Sequence, residues 1–138
     1  MLGQEHESFL ESWTGDETGM RQVYEEFLQL LQEPGEVEFS FRARPGISYS
    51  LRATHSRQTR RSLFAMIDVI DDDPDSRWIS VCFFGDMITD PLELGDLIPE
   101  GLLGDDGYCF DLVTLNREEV DYLRQRILEA KESAAREG

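Results

Sequence analysis

Residues 37–54 constrain the fold more than any other part of this sequence. Val37, Phe39, Phe41 and Ala43 alternate with Glu38, Ser40, Arg42 and Arg44. After Pro45-Gly46, Ile47, Tyr49, Leu51 and Ala53 alternate with Ser48, Ser50, Arg52 and Thr54. A strict period of two places one set of side chains on each face of a strand. Pro-Gly suits the two central positions of a tight turn, so the segment predicts a β-hairpin. Its inner face is apolar, and its outer face carries Arg42, Arg44 and Arg52 among hydroxyls.

The rest of the chain must cover that inner face. Met20, Val23, Tyr24, Phe27, Leu28 and Leu31 recur at three- and four-residue spacing, the stripe of an amphipathic helix. Asp16 or Thr18 can cap its start, and Pro34-Gly35 ends it. Phe9, Leu10 and Trp13 fit a short helical turn over a core edge, within a loose arm at residues 1–15. Leu63–Ile70 and Trp78–Phe84 are nearly continuous apolar runs and read as strands covered on both faces, joined by the Asp71–Ser76 turn. Residues 85–107, rich in Gly, Pro and Asp, read as a long surface connection. Tyr108–Val113 is the last strand. Asn116-Arg117-Glu118-Glu119 has the form of a capping box ahead of a helix with Val120, Leu123, Ile127, Ala130 and Ala134 on one face.

One domain of 138 residues follows. Its predicted class is α+β: an N-terminal helix, a largely antiparallel meander of about five strands, and a C-terminal helix. Both helices are expected on one sheet face, because a two-layer domain buries only one. Neither a leader peptide nor a membrane-spanning run is evident, which points to the cytoplasm. Cys82 and Cys109 lie in apolar runs and read as buried, reduced thiols.

The net charge of −16 argues against general affinity for nucleic acid or anionic membranes. It is unevenly spread. Between Glu38 and Asp68 no acidic residue occurs, and six arginines do; the remainder carries seven basic against 29 acidic residues.

No motif specifies a catalyst, a cofactor or a metal. Phosphate-loop and dinucleotide fingerprints are missing, and His6-Glu7 lacks the second histidine of a zinc-protease helix. Gly46-Ile47-Ser48-Tyr49-Ser50 lacks the closing glycine of a nucleophile elbow. Asp71, Asp73 and Asp75 imitate the start of a calcium loop, but Ser76 and Cys82 stand where its glycine and glutamate belong. No carboxylate pair stands out as acid and base, and nothing points to an enzyme. The acidic N-terminal third (Glu5, Glu7, Glu11, Asp16, Glu17, Glu25, Glu26 and Glu33) reads as a solvated face.

The arginine hairpin remains as the candidate site, made of Arg42, Arg44, Ser48, Ser50 and Arg52. Guanidinium forks suit phosphate and carboxylate, and the serines add hydroxyl donors. Three readings stay open: pairing with carboxylates of the same chain, binding of an anionic ligand or acidic partner segment, and self-association as a homodimer.

Pro45-Gly46-Ile47-Ser48-Tyr49-Ser50-Leu51-Arg52, followed by Leu63-Phe64-Ala65-Met66-Ile67, resembles the small YdhG-like domains, over roughly residues 18–135. Some of that group are discussed as frataxin-like iron chaperones. The resemblance therefore implies an iron-handling role, with no ligand residue that transfers, and makes an acidic metal-handling protein the alternative expectation. Size, acidity and element order are more distantly similar to chaperones of secreted partners. Those usually place a helix after the third strand, where this chain has only the Asp71–Ser76 turn. The leading expectation is a small, non-enzymatic binding or adaptor domain that uses the arginine face.

Overall fold

The computed structural model describes residues 2–32 and 35–137. The chain runs α1 (Gln4–Ser12), α2 (Met20–Gln32), β1 (Val37–Arg44), β2 (Ser48–His55), β3 (Ala65–Ile70), β4 (Trp78–Phe84), a 3-10 turn (Gly85–Met87), β5 (Asp96–Leu102), β6 (Asp105–Leu112) and α3 (Arg117–Ala135). All strand pairs are antiparallel, in the order β1-β2-β3-β4-β6-β5.

The predicted hairpin is present. The Ile47 N–H donates to the Arg44 carbonyl at 2.9 Å, and Gly46 has φ 84°. A positive φ at the third position of a tight turn is what glycine after proline supplies. The register that follows pairs Phe41 with Leu51 and Arg42 with Ser50. Odd-numbered residues of β1 and β2 thus share the face of Ile67, Val69, Ile79 and Val81, all fully buried.

Both amphipathic segments cover that face. Met20, Val23, Tyr24, Phe27 and Leu31 of α2 form one core with Val120, Leu123, Ile127, Ala130 and Ala134 of α3. Each large side chain fully buried in this way is worth about 1.5–3 kcal/mol. Asp16 caps α2, accepting from the Arg21 N–H at 2.7 Å, and Asn116 caps α3 by accepting from the Glu118 and Glu119 N–H groups. Pro34 lies outside the described residues.

Three expectations are corrected. Residues 85–107 are not simply a surface connection, because 96–102 form a sixth strand, β5, at the sheet edge. Its residues are exposed up to Leu102, it contains Pro99 and Gly101, and its register shifts between Ile98 and Leu102. An edge strand tolerates proline and needs no alternation, which removes the sequence signal. Leu103 and Gly104, both at positive φ, form the two-residue loop to β6 that such a conformation favours.

The second correction concerns β3 and the start of β4, which are not covered on both faces, whereas further along β4 Cys82 and Phe84 are buried as well as Val81 and Phe83. Their even-numbered residues, including Asp68 and Ser80, lie opposite the helices, on the outer face shared with Arg42, Arg44 and Arg52. Third, Cys82 and Cys109 are not free thiols. They are directly paired across β4 and β6, with Cα atoms 4.1 Å apart, and form a disulfide. Facing cross-strand positions bring Cβ atoms close enough for that bond. Among the described residues, no helix is long and apolar enough to cross a membrane.

Candidate functional site

The outer face is built by the same alternation that fills the core. Cross-strand rows run Ser40–Arg52–Met66–Cys82–Cys109 and Arg42–Ser50–Asp68–Ser80–Asp111, with Arg44–Ser48–Ile70–Trp78 above them. All five residues singled out in the sequence therefore lie together on β1 and β2. Arg42 and Arg44 are exposed, Arg52 and Ser48 are half-buried, and Ser50 is buried between them.

Among the described residues, none of Arg42, Arg44 and Arg52 has a carboxylate within ion-pair distance. The contrast within the acid-free stretch is informative. Arg60 pairs with Asp86 at 2.8 Å, while Arg61 reaches Asp86 at 3.0 Å and Asp105 at 3.2 Å. Among the described residues Arg57 also has no ion pair, but it belongs to the turn after β2 and not to the sheet. Intramolecular ion pairing thus accounts for Arg60 and Arg61, whereas among the described residues the hairpin arginines have no ion pair and feel only the nearby charge of Asp68.

The electrostatics carry the mark of this crowding. Burial holds the Arg52 guanidinium below its ordinary value, and the positive charges of Arg42 and Arg44 add to the effect. Asp68 on β3 opposes it. Among the described residues, the Arg52 side chain makes one direct hydrogen bond, a long one from Nε to Ser50 Oγ at 3.4 Å. A phosphate or carboxylate placed between these forks would relieve the like-charge repulsion and satisfy their N–H donors.

Asp68 itself was not singled out in the sequence, because it sits inside a run that reads as core. Burial raises its carboxyl above the usual aspartate range, against the pull of Ser50, Arg52 and Arg44. One of its oxygens, Oδ1, is buried with no hydrogen-bond partner. A carboxyl raised in this way favours the fold fully below the ordinary aspartate range and loses that contribution as pH rises through its folded value. Asp68→Asn is therefore expected to gain melting temperature relative to wild type between about pH 4 and pH 7. It should also tighten anion binding about two- to fivefold, by removing a neighbouring negative charge. Calorimetric titration and thermal melts across that pH range check both; weaker anion binding in the variant contradicts the account.

The remaining acidic residues do not converge. Glu5, Glu7, Glu11, Asp16, Glu17 and Glu25 are exposed and Glu26 is half-buried, while Glu33 lies outside the described residues. Among the described residues, no three of His, Cys, Asp and Glu come together as metal ligands would. Comparison with family models, curated proteins and solved structures finds no match to this chain. The reading of the site rests on its own geometry.

Proposed function

We propose that this domain is a non-enzymatic binding or adaptor module whose uncovered sheet face takes an anionic group, from a small ligand or an acidic partner segment. The observation that carries the reading is three arginines on one face without an ion pair among the described residues, in a chain with 29 acidic and 13 basic residues. Carboxylates are plentiful, yet among the described residues none comes within ion-pair distance of these three arginines. Arg42 and Arg44 supply exposed forks, Arg52 a half-desolvated one, and Ser48 a hydroxyl beside them. Partly desolvated guanidinium–oxyanion bonds are stronger than exposed ones.

The cytoplasmic setting belongs to the same reading. The Cys82–Cys109 bond argues the other way, since disulfides persist in oxidising compartments and are rare in the cytosol.

Thermal shift and calorimetry with sulfate, nucleotides and polyphosphate test the site. A specific anion at about 100 times its Kd stabilises the native state by about 2.7 kcal/mol, which raises the melting temperature several degrees. The Arg42→Ala/Arg52→Ala variant should lose that rise. Equal shifts in both proteins, or none in either, refute the reading.

A further inference from the structure

The two edges of the sheet differ in a way that concerns partners. β5 is blunted by Pro99, a register shift and the positive φ of Glu100. β1 has none of these devices. It is eight residues long, regular, and pairs with β2 throughout its length. Every second residue therefore turns its backbone N–H and C=O away from the sheet, a ready template for another strand.

We infer that β1 is a self-complementary edge, and that two copies of this chain join through it as an antiparallel pair centred on Ser40. A two-fold axis perpendicular to the sheet at Ser40 sets residue 38 against 42, 39 against 41, and 37 against 43. On the outer face this opposes Glu38 to Arg42, twice by symmetry. On the inner face it opposes Phe39 to Phe41 and Val37 to Ala43, again twice. Both chemistries match. Opposite charges and aromatic pairs directly across strands stabilise, whereas like charges at the same positions do the reverse.

Among the described residues neither Glu38 nor Arg42 has an ion pair. Val37, Phe39, Phe41 and Ala43 are only half-buried, packed against the rim of the core. An isologous contact of this kind closes on itself as a dimer and leaves no free β1 edge.

Net charge opposes association of two chains at −16 each. Screening at physiological salt confines repulsion to about 8 Å, so the local surface decides. Apart from Val37 and Glu38, that surface belongs to the acid-free stretch beginning at Phe39. It is where two copies can meet with the least repulsion. The dimer would join two arginine faces into one continuous outer surface. The inference does not depend on anion binding, because Arg52 takes no part in the strand pairing.

Sedimentation equilibrium over about 10–500 µM, the range suited to an interface below standard size, provides the test. Wild type should show a monomer–dimer equilibrium. Glu38→Arg and Arg42→Glu, each at an exposed site and each checked for folding by circular dichroism, should weaken it by about tenfold or more, since two charge pairs reverse at once. An equimolar mixture of the two variants should dimerise again, because each then meets its complement. The double variant Glu38→Arg/Arg42→Glu should also recover. A wild type that stays monomeric throughout the range overturns the inference, even if it captures an acidic peptide. So does a dimer indifferent to both reversals, or one that neither the mixture nor the double variant restores. Arg52→Ala separates this from the anion site: it should lower anion affinity and leave the dimer unchanged.

Discussion

Replacing Asp71 with alanine is expected to destabilise the domain by about 3–5 kcal/mol, the usual cost of leaving a buried charge without its partner. Asp71 is 5% exposed and Arg77 4%. Arg77 Nε donates to Asp71 Oδ1 at 2.8 Å, and the Gly46 N–H donates to Asp71 Oδ2 at 2.9 Å. The Asp71 N–H in turn donates to the Ile47 carbonyl. One carboxylate therefore holds the hairpin turn against the β3–β4 connection. Burial alone would raise its pKa, but the bonds from Arg77 and Gly46 win and hold it below the ordinary range. A group depressed in this way stabilises above its unfolded pKa, and its contribution is lost as pH falls through the folded value. Wild type should thus weaken with acid below about pH 4, and Asp71→Ala should show less of that slope. Urea denaturation at several pH values measures both. A loss under about 1 kcal/mol at neutral pH would mean that Arg77 finds other partners. Asp71→Leu/Arg77→Met should recover much of the loss, since hydrophobic replacement of a whole buried pair is often tolerated.

The hairpin, α2, β4 and the cap of α3 were legible because each is written in local signals: period two, period 3.6, a Pro-Gly turn, an asparagine before two glutamates. The site residues were legible for the same reason, since alternation alone assigns Arg42, Arg44 and Arg52 to one face. Other features lack a local signal. Asp71 stood in an aspartate-rich turn, and nothing in its spacing marked it out from Asp72 or Asp73 as the one that turns inward. Arg77 was invisible beside it. Strand β5 hid because an exposed edge need not alternate. Cys82 and Cys109 pair only through the register of β4 with β6, which is set after the β5 excursion and cannot be read from either strand alone. Asp68 was hidden in an apolar run because β3 packs its odd residues on the core and lets its even residues, Met66, Asp68 and Ile70, stay half-buried.

Phe9→Ala is the second large effect, at about 3–5 kcal/mol for a fully buried aromatic, and it reaches the arginine face from behind. Phe9 is 2% exposed and stacks on Tyr49 with ring centroids 4.3 Å apart. The rings of Phe41, Tyr24 and Trp13 lie 5.5–5.6 Å from that of Phe9, and the Arg77 guanidinium sits 5.5 Å from the Phe9 ring. Phe41 and Tyr49 are the core-side neighbours of Arg42, Ser48 and Ser50 on β1 and β2. Helix α1 is therefore the backing of the hairpin, docked through Phe9, Trp13 and His6. His6 adds a hydrogen bond to the Tyr24 hydroxyl at 2.8 Å, and burial holds its imidazole below the ordinary range. A histidine kept neutral by the fold costs stability once the unfolded chain can protonate, so α1 docking should weaken as pH falls below about 6.5. Removing the Phe9 ring takes out the centre of this seam. Hydrogen exchange should then rise first in residues 4–12 and next along β1, while α3 keeps its protection. Binding of sulfate or polyphosphate should weaken although no contact residue has changed, because Arg42 and Arg44 lose the strand that holds them in register. Phe9→Leu, which refills most of the space, should recover the larger part of both effects. If Phe9→Ala melts within two degrees of wild type, α1 is not part of the cooperative fold, and the arginine face does not depend on it.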